Sequence, residues 1–185
     1  SVTVDIIQIL KTNNVKEAIP IFKELTTSPK TRIRLASIRA LGVLQDMDSA
    51  SIFKKALNDT DESTRIAAIS ALMQINDKSA IPDLVESLSD NSVPVRLKLL
   101  EALAFFNDES AIPASIKRLD DMNALVVMKA ADTLSNFKDK EVVDALVSKL
   151  KARNPDVKVK VIESLARIKD SSVLPQLRPM LDDES

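Results

Sequence analysis

Arginines and aspartates recur at a fixed 31-residue interval in this chain, and they are its best-placed candidates for chemistry. Arg34, Arg65 and Arg96 form one row, Asp59, Asp90 and Asp121 a second, and Asp46, Asp77, Asp108, Asp139 and Asp170 a third. Carboxylates can act as general acids and bases, but that work needs a pocket and shifted pKa values, and the sequence points to neither. Rows of opposite charge at one interval can instead form ion pairs. On a helical wheel the Arg row falls between Leu and Ile positions, so its stems are partly buried, and a buried guanidinium needs carboxylate or carbonyl partners. The Arg row is therefore read as a structural ladder with the turn row Asp59, Asp90 and Asp121, the closing row being the other available source. It lapses at Val127 and resumes as Lys158, and the turn Asp row lapses at Ala152.

The missing residue types narrow the chemistry further. The 185 residues include no Cys, His, Trp or Tyr. Without Cys there is no disulfide, thiolate nucleophile or Cys-based zinc site. Without His the commonest general base and the commonest transition-metal ligand are absent. The single glycine, Gly42, sits in a helical stretch, so there is no Gly-rich phosphate loop. No catalytic residue, metal ligand or cofactor is assigned, and the chain is read as a non-enzyme. With 26 basic and 27 acidic residues the formal net charge is −1, which argues against nucleic acid as a partner. No stretch approaches the roughly 20 apolar residues that span a bilayer. A monomer in the cytoplasm is the working expectation, although a chain without Cys fits the periplasm equally well.

The 31-residue interval also dictates the elements. Leu41, Leu72, Leu103, Leu134 and Leu165 keep it, as do Leu57, Leu88, Leu119, Leu150 and Leu181. A constant period of this size marks a stacked repeat array. The repeats are Lys16–Asp46, Met47–Asp77, Lys78–Asp108, Glu109–Asp139 and Lys140–Asp170. In the third, Ile81, Leu84, Val85 and Leu88 have helical spacing, with Pro82 in the first turn and Ser79 as the expected N-cap. A turn follows at Asp90, Asn91 and Ser92. A second helix then carries Val95, Leu99, Ala102, Leu103 and Phe106 on one stripe, and Leu97 and Leu100 on another. Two apolar stripes mean cover on two sides, by the partner helix and by the next repeat. Residues 1–15 read as a capping second helix, with Val2, Val4, Ile7 and Leu10 one period before Ile33, Leu35, Ile38 and Leu41. Residues 171–185 read as a lone first helix packing through Val173, Leu174, Leu177 and Leu181. The expected whole is a single all-α domain over 1–185. It is a right-handed α-solenoid of antiparallel helix pairs, with five full repeats and a half repeat at each end, cut from a longer array.

The polar face of the second helices carries two rows. One is Ala36, Ala67, Lys98, Lys129 and Lys160; the next is Arg39, Ser70, Glu101, Asp132 and Glu163. Lys98–Glu101, Lys129–Asp132 and Lys160–Glu163 are i,i+3 pairs. Phe105 stands out because its row is otherwise Val43, Gln74, Asn136 and Arg167, on the polar side. An exposed aromatic beside charges is a candidate interface anchor. Charge is uneven along the chain: the first and fifth repeats carry +3 each, the second and third −2, the fourth −1. Lys149, Lys151, Arg153, Lys158 and Lys160 form the densest basic patch.

The unit resembles a HEAT repeat, in the short form named for phycobilisome lyases. Ala-Ile-Pro opens the first helix at Ala18, Ala80 and Ala111. Leu-x-Asp marks the turn at Leu57/Asp59, Leu88/Asp90 and Leu119/Asp121. An apolar residue or Thr followed by Arg opens the second helix at Ile33-Arg34, Thr64-Arg65 and Val95-Arg96, and Ala-Leu follows at Ala40, Ala71 and Ala102. Ser49-Ala50-Ser51 and Val142-Val143-Asp144 depart from the Ala-Ile-Pro pattern. The resemblance implies that second helices line a concave inner face. It points to a non-catalytic protein–protein interaction scaffold whose partner meets Arg39, Lys98, Glu101, Phe105, Lys129, Asp132, Lys160 and Glu163. A lyase-accessory subunit gripping a pigment protein and a structural spacer between flanking domains are the alternatives. HEAT-like DNA glycosylases rely on aromatic residues at the base, and HEAT-like hydroxylases on His-Glu motifs. With no Trp, Tyr or His, neither fits these residues.

Overall fold

A computed structural model describes residues 2–181, with side chains through residue 178. Every regular element among the described residues is helical. Helix α1 spans Val2–Thr12. The repeats then contribute α2 (Ile19–Leu25) and α3 (Thr31–Val43), α4 (Ala50–Ala56) and α5 (Glu62–Gln74), α6 (Ile81–Glu86) and α7 (Val93–Phe106), α8 (Ile112–Lys117) and α9 (Ala124–Leu134), and α10 (Lys140–Ser148) and α11 (Pro155–Ile168). Helix α12 is Leu174–Leu181. In each repeat the first helix packs on the second across a short turn, so the two run back on each other. The chain divides into two compact units between Phe106 and Asn107. In the first unit α1, α3, α5 and α7 pack in series; in the second α9 packs on α11.

Local chemistry starts and stops each helix at the same repeat position. Asp77 accepts from the Ser79 N–H at 3.0 Å and from its hydroxyl at 2.6 Å, and so caps the 3₁₀ turn that leads into α6. The expected cap, Ser79, is thus the donor, and the acceptor is the closing aspartate two residues earlier. Asp108 holds Ser110 in the same way, and Asp139 and Asp170 accept from the N–H groups of Glu141 and Ser172. A carboxylate suits this place because it satisfies orphan donors and opposes the positive end of the helix dipole. Proline stands at N1 or N2 of α2, α6 and α8, where no N–H bond is lost.

Five of the six second-type helices end on a left-handed residue, Asn14, Gln45, Asn76, Asn107 and Lys169, with φ between 51° and 59°; α9 is the exception. The next N–H then reaches back to close the helix, as in Asp46 N to Leu41 O and Asp77 N to Leu72 O, both 3.1 Å. This is the 6→1 bond of a Schellman cap, made without glycine. Asn is the side chain best suited to that conformation.

The leucine row is the core. Leu41, Leu72, Leu103 and Leu134 are fully buried and Leu165 nearly so. Phe22, Phe53, Leu84 and Leu146 fill the first-helix side. Each such side chain contributes about 1.5–3 kcal/mol relative to exposure. Gly42 lies where α3 meets α5. A Cβ there would stand 2.9 Å from Ala71 Cβ and 3.0 Å from Ala71 Cα, so the two backbones meet at hydrogen-atom range. Two details differ from the sequence expectation. Leu174 is 62% exposed rather than packed; the buried residue here is Val173, in the 3₁₀ turn before α12. The side chain of Leu181 lies outside the described residues. In α1 only Ile7 is fully buried, while Val2, Ile6 and Ile9 face outward.

Candidate functional site

The turn aspartates, not the closing ones, receive the arginines. Arg34 donates from Nε and Nη2 to the two carboxylate oxygens of Asp59, both at 2.8 Å. One repeat later, Arg65 sets Nε 2.7 Å from Asp90 Oδ2 and donates from Nη2 to Oδ1 at 2.9 Å. Each guanidinium also donates from Nη1 to carbonyls of its own turn: Arg34 to Ser28, Arg65 to Asp59 and Arg96 to Asp90. Asp59 and Asp90 are therefore shared. The carboxylate takes the preceding repeat's arginine, the carbonyl takes its own repeat's arginine, and the carboxylate also accepts the N–H two residues on. Only 12–15% of these four side chains is exposed. In the second unit Asp121 lies 3.6 Å from Arg118 and accepts from Asn123 N–H.

The Arg34 hydrogen bonds hold the Asp59 carboxyl below its usual range against the opposing effect of burial, with help from Asp61 N–H and the Arg34 and Arg65 charges. At Asp46 burial pushes upward, but the Ser49 hydroxyl and Lys23 outweigh it and the value is again lowered. A carboxylate depressed in the folded state contributes stability that is present above its unfolded value, about 3.9, and lost as pH falls through the folded value. The melting temperature is therefore expected to be level from neutral pH to about pH 5 and to fall below about pH 4. Asp59→Asn should flatten that acid limb in thermal melts; an unaltered limb would assign it to other groups.

The second-helix faces hold the remaining candidates. On α7, Lys98 Nζ donates to Glu101 Oε1 at 2.7 Å. Phe105 lies one turn further along, 53% exposed, its ring in a T-shaped pair with the buried Phe106 ring at a centroid distance of 5.2 Å. Arg39 on α3 is exposed and borders a cavity of about 270 Å³ whose other walls include Lys11, Val43, Ile66, Ala67 and Gln74. In the second unit Lys160 donates to Glu163 at 2.7 Å, and Lys129 lies 3.7 Å from Asp132. Asp132 also accepts from Arg167 at 3.0 Å, joining α9 to α11. The row expected to be solvated is not uniform. Ala36 and Ala67 are 4% and 5% exposed because α1, α3 and α5 close over them, whereas lysines at the same position reach solvent with their long stems. Arg167 escaped the sequence reading: its place beside Phe105 in the polar row was the available signal, but its partner lies on another helix.

Among the described residues no acidic cluster could hold a metal ion and no helix is long and apolar enough to cross a membrane. The elements define a helical-pair repeat protein, and the HEAT repeats model matches at 2–72, 19–104, 49–127, 84–148 and 112–185. The chain belongs to the HEAT-repeat family. No curated protein matches it. Solved structures share the fold. The Escherichia coli protein YibA superposes with a TM-score of 0.70 at 20% identity over 97% of this chain and 81% of its own. The CpcE–CpcF complex of phycocyanin lyase from Nostoc sp. PCC7120 gives 0.62 at 20% identity, covering 94% and 74%. A designed armadillo repeat protein in complex with the peptide (KR)4 gives 0.65 at 18% identity, covering 88% and 85%. At these identities the likeness is one of fold alone.

Proposed function

We propose that this chain is a non-catalytic protein-interaction scaffold whose partner docks on the second-helix face. The observation that carries the reading is Phe105. It is a half-exposed aromatic in a T-shaped pair with Phe106, set one turn from the Lys98–Glu101 pair. A rigid, partly dry ring ringed by polar groups is the usual make-up of an interface anchor, and truncating one costs 2 kcal/mol or more of binding in typical cases, about thirtyfold in affinity. Arg39, exposed beside Val43, extends the same chemistry to α3. Repeat arrays suit the task because they present long continuous surfaces.

Affinity capture tests it, with the wild-type chain beside a double variant carrying Phe105→Ala and Lys129→Glu. Both positions are on the surface, so helicity and melting temperature should be unchanged. The expected result is a protein retained by wild type, confirmed with purified components, and bound at least tenfold more weakly by the variant. Equal retention would move the site to another face, and no specific protein with either would favour a spacer.

A further inference from the structure

The Arg–Asp ladder is interrupted at one step, and both partners go together. Position 127 corresponds to Arg34 and Arg65, and position 152 to Asp59 and Asp90; here they are Val127 and Ala152. Losing one partner alone would leave a buried charge uncompensated, whereas replacing both by apolar residues is cheap. Paired replacement keeps the second unit foldable and changes what lies between its turns. Between the second and third repeats, where the pair is intact, the corresponding groove is a cavity of about 430 Å³ with charged walls, Arg65, Asp90, Lys54, Asp83 and Glu86 among them. Between the fourth and fifth it is an open cavity of about 560 Å³ with Leu119, Val127, Ala152 and Val157 in its walls. Met122 stands fully exposed at its edge.

The rim is basic. Lys149, Lys151 and Arg153 all border the cavity. Asp120 is neutralised by Lys149 and Asp121 by Arg118. Lys151 and Arg153 are exposed and have no acidic partner among the described residues. The result is a slot with apolar walls and uncompensated positive charge around it, confined to one step of the repeat. That chemistry fits a carboxylate-rich segment with one apolar side chain. It suits nucleic acid poorly, because there is no aromatic platform for base stacking and the basic run is not continuous.

We propose that the groove between the turns of the fourth and fifth repeats binds an acidic linear peptide. One apolar side chain of the peptide enters the space that an Arg–Asp pair occupies elsewhere in the ladder. The site rests on the reading of the chain as a protein-binding module but lies on the turn side, away from the second-helix face.

The probe is a fluorescein-labelled acidic hexapeptide with one central leucine, followed by fluorescence anisotropy on the full chain at several salt concentrations. Wild type should bind, more weakly as salt rises. Val127→Arg with Ala152→Asp rebuilds the ion pair and replaces two apolar walls of the slot by charged ones, and should weaken binding at least tenfold while the protein stays folded. Lys151→Glu with Arg153→Glu changes only exposed side chains and should do the same. Replacing the peptide's leucine by serine should cost at least fivefold. The Phe105→Ala, Lys129→Glu variant should bind the peptide as wild type does, so failure of the second-helix site and failure of this one are separable. No binding at millimolar peptide, unchanged binding by the ladder-restored variant, or a DNA oligonucleotide competing as well as the peptide would each overturn the proposal.

Discussion

Asp59→Ala is expected to destabilise the protein by about 2–3 kcal/mol, a fall in melting temperature of about 5–10 °C for a chain of this length. The substitution removes both acceptors of the Arg34 fork and the acceptor of Asp61 N–H. Arg34 is left with only its bonds to the Ser28 and Pro29 carbonyls, and its side chain is too enclosed for water to replace a carboxylate fully. The Arg65 bond to the Asp59 carbonyl survives, because that group is backbone. The informative comparison is the double variant Arg34→Val with Asp59→Ala, which copies the natural pair at Val127 and Ala152. It should cost clearly less than the sum of the two single changes, since no charge is then left without a partner. Equilibrium melts of the four proteins measure this. Simple additivity would mean that the two groups stabilise the repeats independently.

The second large effect is expected at Gly42. Gly42→Leu should cost about 3 kcal/mol, near the upper end for overpacking a filled interior. Gly42→Ala should cost about 1 kcal/mol net, because alanine's better helix propensity, about 1 kcal/mol, offsets part of the strain. The strain has a defined origin. A new Cβ meets Ala71 at both Cα and Cβ as well as Gln74 Oε1. The glutamine can swing away; a helix backbone cannot. Adding Gln74→Ala should therefore not rescue Gly42→Ala. Full rescue in thermal melts would show that the helices have room and that only the amide was in the way.

These two sites show different degrees of legibility. The ladder was readable because an Arg on a half-buried stripe has few ways to be satisfied, and two Asp rows at the same period supplied them. The coordinates show why the turn row, rather than the closing row, takes the arginines. The closing aspartates are occupied with capping the next first helix, and Asp46 with Ser49 and Lys23 as well. Gly42 read only as an unremarkable helical glycine, because close approach is a property of two helices and not of one. The small residues at Ala36 and Ala67 were misread for a related reason. Their row becomes lysine further along, and whether a row faces water depends on how tightly the adjacent second helices pack.

Phe105 was singled out from its neighbours in the repeat, and its exposure agrees with that place on the helix. Its T-shaped contact with Phe106 was not foreseeable from helical spacing, since consecutive residues point in different directions and meet only through the size of their rings. The paired lapse at Val127 and Ala152 was visible as two separate gaps. That they are the two halves of one missing contact emerges only when Asp59 and Asp90 are seen to take the arginine of the preceding repeat.

The sequence by itself determined the period, the helical pairs, the buried leucine and phenylalanine rows and the family. All of these follow from side-chain patterning along single helices, repeated often enough to leave one solution. The tertiary structure decided which carboxylate serves which arginine, where two backbones touch at Gly42, and where the groove along the ladder exchanges its ion pair for apolar walls. Each of those depends on residues about 25 to 32 positions apart meeting across a repeat boundary, and such a meeting is governed by packing distance and side-chain direction rather than by the local pattern.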